Sequence, residues 1–211
     1  MVSAVLFLQG CPWRCWYCHN PHLLRADLLA QREWADALAF LRRRVGLLDA
    51  VVFSGGEPTM QDALADAARQ VKELGFRIGL HTGGAYPEKL EAILPLLDWV
   101  GFDVKTSFQR YDAVNGVPGS GAKAETSLRL LVDSGVDHEC RTTVHPELFT
   151  EAGLIALSES LFAQGARRHV LQAFRPDGCR DAELNTSFDP VALSGLLKSA
   201  AAASPRIELR G

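Results

Sequence analysis

The segment Ala50-Val51-Val52-Phe53-Ser54-Gly55-Gly56-Glu57-Pro58 carries a complete strand-to-helix transition. Residues 50–53 are apolar without polar alternation, the pattern of a strand covered on both faces in a parallel sheet. Gly55-Gly56 allows a sharp turn, Pro58 suits a helix start, and a helical period follows over residues 61–74. A strand, a tight turn and a helix make one βα unit.

Working outward, the unit recurs at roughly 25 to 35 residues in both directions. Strands are predicted over residues 2–8, 50–53, 76–81, 99–104, 136–144 and 169–174, with a short terminal strand at 207–209. Helices are predicted over 33–44, 61–74, 87–97, 123–134, 150–163 and 190–203. About six units are too few for the eight of a closed barrel. The sequence therefore predicts an α/β fold, an open partial TIM-type barrel with a mainly parallel sheet. A doubly wound sheet is compatible with the same order of elements. The glycine-rich stretch at 116–121 reads as a loop rather than a linker, so residues 1–211 are expected to form one domain.

In either architecture the C-terminal ends of the strands face the site. The chemically suggestive residues fall there: Gly55 to Pro58, His81-Thr82-Gly83-Gly84, Asp103-Val104-Lys105 and Gln172. Upstream, the loop after the first strand reads Cys11-Pro-Trp-Arg-Cys15-Trp-Tyr-Cys18-His19-Asn20-Pro21. Three thiols in a C-x3-C-x2-C spacing fit a [4Fe–4S] cluster with one iron left without a protein ligand. With His19 added they also fit a Cys3His zinc site. Ligation by both Cys18 and its neighbour His19 strains a tetrahedral site, and no second CxxC knuckle is present, so the cluster is the better fit.

The chain has 211 residues and a formal net charge of −3, which supplies no electrostatic reason to bind nucleic acid or an anionic membrane. No run of about 18 apolar residues is present to span a membrane. The start lacks a basic n-region of the secretory kind. Five cysteines are an odd count that argues against a pure disulfide framework and for a reducing cytoplasm. Cys140 falls in a predicted strand and reads as core; Cys179 falls in a polar loop open to exposure.

Together, the cysteine triplet with Tyr17 before its last member and Gly-Gly-Glu-Pro-Thr at 55–59 resemble the radical S-adenosylmethionine (SAM) superfamily. Within it, Cys-His-Asn-Pro at 18–21 looks like the glycyl-radical-enzyme activases, above all those serving anaerobic ribonucleoside-triphosphate reductase. Residues 101–106, 141–146 and 171–174 follow in the order such proteins show, so the resemblance covers nearly the whole chain.

The resemblance implies roles. Cys11, Cys15 and Cys18 would bind three irons of a [4Fe–4S] cluster, and SAM would chelate the fourth. Tyr17 would lie against the adenine. Gly55, Gly56 and Glu57 would meet the methionine ammonium. Asp103 and Lys105, two apart and so on one face of a strand, would take the ammonium and the carboxylate; a same-face ion pair is the plain alternative. His81 stands where pyruvate formate-lyase activases carry an aspartate linked to a cation, and imidazole suits a hard alkali cation poorly; contact with SAM and simple packing both fit it. Arg141 fits either a structural strand arginine or a contact to the SAM carboxylate. The implied chemistry is reductive cleavage of SAM, yielding a radical that abstracts hydrogen from a glycine Cα of a glycyl radical enzyme. Anaerobic ribonucleotide reductase is the expected partner and reduced flavodoxin the expected electron donor. An activase of pyruvate formate-lyase, and a non-catalytic zinc or structural-cluster protein, are the alternatives. Members of the family usually carry a further strand-like segment and an Asp-x-Pro-Gly-type turn before the position of Met1, so the expectation is an upstream start or absent substrate contacts.

Overall fold

The computed structural model describes residues 1–28, 31–179 and 181–210. Seven strands form one sheet: β1 (Ser3–Leu8), β2 (Ala50–Gly55), β3 (Arg77–Thr82), β4 (Trp99–Asp103), β5 (His138–Val144), β6 (His169–Ala173) and β7 (Ile207–Arg210). They lie in sequence order and every neighbouring pair is parallel. A doubly wound sheet reverses its order at a switch point; this sheet does not. β1 and β7 are its two edges, so the barrel is open.

Right-handed crossovers between successive parallel strands place the helices on one face. These are α1 (Trp34–Arg42), α2 (Leu64–Glu73), α3 (Pro87–Ile93), α4 (Tyr111–Asn115), α5 (Ser120–Ser134), α6 (Glu151–Ala163), α7 (Ala182–Ser187) and α8 (Pro190–Ala202). The helix predicted over 87–97 stops at Ile93 and continues as a 3-10 turn, Leu94–Leu96, because Pro95 has no N–H to give. α4 and α7 are additions to the predicted set. Both carry local signals: Gly116 closes α4 at φ +71°, and the Asp181 side chain accepts from the Leu184 N–H to cap α7.

Parallel register divides the side chains cleanly between two faces. Val51, Phe53, Ile78, Leu80, Val100, Phe102 and Cys140 point toward the helices and are at most 1% exposed, so this face is the core. The concave face is different. Register places His81 with Glu139, Asp103 with Arg141, and Gln172 with Arg210 there. The burial on both faces expected from residues 50–53 thus gives way, beyond β2, to a polar inner surface. Glu139 is 2% exposed there and takes a two-point ion pair from Arg210 at 2.6 and 3.0 Å, as a buried carboxylate requires.

Candidate active site

The loop after β1 is fastened by its backbone. The N–H groups of Gly10 and Cys11 donate to the carbonyls of Leu23 and Leu24 (2.8 and 3.1 Å), and Arg14 N donates to Asn115 O at the end of α4 (3.0 Å). Cys18 N donates to Cys15 O (3.1 Å), a turn that brings the backbones of the two cysteines together. Trp13 is buried edge-on against Tyr111 and fills the space a Cβ at Gly83 would occupy. Burial pushes the Cys11 thiol up to about 12 and raises that of Cys15; a bound metal inverts this, since it deprotonates its thiols. Among the described residues no three His, Cys, Asp or Glu side chains gather closely enough to hold one ion. His19 leans away, its ring 5.4 Å from that of Phe174 at the end of β6.

The glycines of the second motif serve the chain's own approach. Gly55 sits at φ +126°, and a Cβ there would strike the backbone of Leu8; a Cβ at Gly56 would strike the carbonyl of Gly10. The two loops touch, with Gly56 N on Leu8 O (3.0 Å) and Glu57 N on Gly10 O (2.8 Å). The Glu57 side chain is buried and accepts from Thr59 N (3.1 Å), Thr59 Oγ1 (2.6 Å), Thr82 Oγ1 (2.7 Å) and Gly83 N (2.9 Å). Burial raises its carboxyl, and those hydrogen bonds oppose the shift. Glu57 therefore ties the ends of β2 and β3 together. The Gly56 carbonyl, by contrast, accepts no hydrogen bond among the described residues.

Asp103 closes β4, and Lys105, just past the strand, returns its ammonium to within 3.4 Å of Asp103 Oδ2. Arg141 completes the group with Nε 2.9 Å and a terminal nitrogen 2.7 Å from Oδ1. Burial alone would raise the Asp103 carboxyl, but Arg141 and then Lys105 outweigh it and hold it down to about 2. Burial likewise works against the Lys105 charge, and Asp103 together with Cys15, Tyr111 and Cys11 outweighs it, leaving Lys105 above its usual value. His81 Nδ1 lies 3.2 Å from Ser54 Oγ, with its ring against Trp99. Burial, then the Arg141 cation, lowers its pKa to about 4, so this imidazole is neutral. Tyr17 is buried, and its hydroxyl has no hydrogen-bond partner among the described residues.

The structure thus gathers Cys11, Cys15, Cys18, Tyr17, Gly55 to Glu57, His81, Asp103 and Lys105 at the C-terminal ends of β1 to β4. What sequence reasoning missed is Arg141 as the clamp on Asp103. The signal was the alternation Glu139-x-Arg141-x-Thr143, polar side chains in a strand otherwise read as core. Tyr111 was missed too; its hydroxyl accepts from Lys105 N (3.0 Å). Cys179, expected in an exposed loop, is buried, with Sγ 3.5 Å from the Trp16 carbonyl.

The sequence pattern of the Radical SAM superfamily matches residues 5–151. A protein of Methanocaldococcus jannaschii, provisionally named a glycyl-radical enzyme activating enzyme, is 32% identical over 86% of this chain and 77% of its own length. A pyruvate formate-lyase-activating enzyme of Clostridium pasteurianum is 30% identical over 70% of this chain; the matched part is 63% of that relative's length. Among solved structures, Streptococcus suis SuiB bound to S-adenosylmethionine superimposes with a TM-score of 0.77 at 13% identity, over 99% of this chain and half of SuiB. That last likeness is one of fold.

Proposed function

Because the chain belongs to the radical SAM superfamily, we propose that it is a glycyl-radical-enzyme activase and that its strand-end cluster of residues is the SAM site. The observation that carries this is one mouth holding three free thiols, an unpartnered buried hydroxyl (Tyr17), an unused carbonyl (Gly56) and a charged pair, Asp103 and Lys105. This donor set fits the family's two cofactors: soft thiolates for iron and sulfide, and opposed charges for a methionine zwitterion.

Cys11, Cys15 and Cys18 would hold three irons, leaving the fourth to SAM. Gly56 O and the free side of Asp103 would accept from the methionine ammonium, while Lys105 would donate to its carboxylate. The 3.4 Å pair between Lys105 and Asp103 is long for an ion pair, so Lys105 is the member able to turn to a ligand. Arg141 stays behind to hold Asp103. Glu57 acts one layer back by fixing Gly83 and the turn after Gly56. Tyr17 and the neutral His81 complete the wall around the adenosyl group. Trp13, Tyr17 and Tyr111, all buried, keep water from the floor of the site. When bound, cluster and SAM supply reductive cleavage of the sulfonium; the chain supplies binding, orientation and exclusion of water.

We take the partner to be anaerobic ribonucleoside-triphosphate reductase, reduced flavodoxin the donor, the cytoplasm the compartment, and residues 1–211 one domain. The motif likeness at 18–21 and 55–59 supports the choice of partner. Anaerobic reconstitution with iron and sulfide, followed by reduction with SAM, tests the whole reading. The expected outcome is about four irons per chain, 5′-deoxyadenosine, and a glycyl-radical signal by electron paramagnetic resonance on added anaerobic ribonucleotide reductase. Zinc at one per chain with no SAM cleavage overturns the enzyme; a signal on pyruvate formate-lyase alone reassigns the partner.

A further inference from the structure

The two halves of the cysteine loop are held by different parts of the chain. The first half, around Cys11, is fastened to residues 23 and 24 and to Asn115, within the span that matches the family. The second half carries Cys15 and Cys18 and is gripped by residues 174–179, which lie beyond that span. Four contacts make the grip. The Phe174 ring lies 5.4 Å from that of His19. His19 Nε2 accepts from the Arg175 N–H at 3.4 Å, fixing the tautomer with the proton on Nδ1. Gly178 sits at φ +85°, so close that a Cβ would strike the His19 carbonyl oxygen. Cys179 Sγ donates to the carbonyl of Trp16 at 3.5 Å.

The far side of the grip is anchored as well. Phe174 N donates to Val144 O (3.0 Å) at the end of β5, and its ring is edge-on to His145 (4.8 Å) and Phe188 (5.6 Å). Asn185 Nδ2 in α7 donates to Cys179 O at 3.0 Å. A thiol of this rooted segment thus reaches the Trp16 carbonyl, and the His19 imidazole reaches back to the segment's own backbone at Arg175. Neither group is needed as a ligand.

We infer that His19, Gly178 and Cys179 form a clasp that positions the Cys15–Cys18 half of the loop, making them positioning residues for the cluster. The inference rests on the reading of Cys11, Cys15 and Cys18 as its ligands. Outer groups that orient metal ligands change metal retention by about 10- to 100-fold when removed. Hydrogen bonding and solvent access around the sulfurs also set a cluster's potential. The clasp acts on both, because releasing it lets residues 16–19 move and admits water beside Cys18.

The test compares wild type with Gly178→Val, His19→Leu, Cys179→Val and Cys179→Ser. Each is reconstituted anaerobically and followed by iron loss to a chelator, by the midpoint potential of the cluster, and by thermal melting of the metal-free chain. Gly178→Val, His19→Leu and Cys179→Val are expected to release iron about tenfold faster with a shifted potential, while metal-free melting stays near wild type. Cys179→Ser keeps a donor to the Trp16 carbonyl and is expected to retain iron nearly as wild type does. Wild-type retention and potential in all four variants overturn the clasp, as does faster loss explained by an equal fall in metal-free melting. If wild type itself takes up no iron and sulfide, the cluster reading falls instead.

Discussion

One sheet presents two unlike faces. Toward the helices it is a continuous apolar layer, with Val51, Ile78, Leu80, Val100 and Phe102 all fully buried. Toward the concave side it carries Ser54, His81, Asp103, Glu139, Arg141 and Arg210. A closed barrel fills its interior with layers of branched apolar side chains. Here the outer layer supplies the stability, and the inner face is released to bind charge. A half-buried histidine, His81, stands on the inner side, and buried His138 and His169 stand on the helix side. The pKa values of His81 and His169 are both lowered to about 4, in different surroundings.

The largest effect that separates the faces comes from the mouth. Cys18→Ala is expected to abolish cluster assembly and SAM cleavage while leaving metal-free melting near wild type, read by iron content, 5′-deoxyadenosine and calorimetry. A matching loss of stability would mean that the mouth is part of the core after all. On the helix side, Phe102→Ala is expected to cost about 3–5 kcal/mol in denaturant unfolding, the range for a fully buried phenylalanine. At low temperature its cluster content should match wild type.

Acid should find the core next. Unfolded histidine takes up a proton near pH 6.5, whereas burial delays His169 to about 4. His169 therefore contributes stability that is fully present above about pH 6.5 and is lost as the pH falls toward 4. The loss is on the order of 3 kcal/mol, measured as unfolding free energy against pH, and the slope should shrink in His169→Gln. The smallest effect is the sharpest comparison. Arg141→Met removes the cation facing His81, so the His81 titration followed by NMR should move up while that of His169 stays put. Movement of both together would mean that the two faces share one electrostatic environment.

Much of this was legible. Residues 50–53 and their glycine turn announced the βα unit, and the triplet at 11, 15 and 18 marked the candidate ligands, because both depend on local spacing. The open barrel expected from sequence is borne out by the sequential strand order, although the order of elements alone is shared with a doubly wound sheet. The task of Glu57 was not legible, because its donors Thr82 and Gly83 arrive from the next strand. That Asp103 and Lys105 lie side by side follows from their spacing, but Arg141, 38 residues further on, had to be found in space. Cys179 shows the same limit: a polar loop sequence says nothing of the loop it lies against.

That contact sets the order in which the protein is completed. The cysteines are made first, yet the groups that grip Trp16 and His19 come 163 and 156 residues later. Pairings so distant in sequence close late in folding, after nearer ones. A nascent chain therefore displays its thiols through most of its synthesis before β6 and α7, whose flanking segment grips the second half of their loop, have been made.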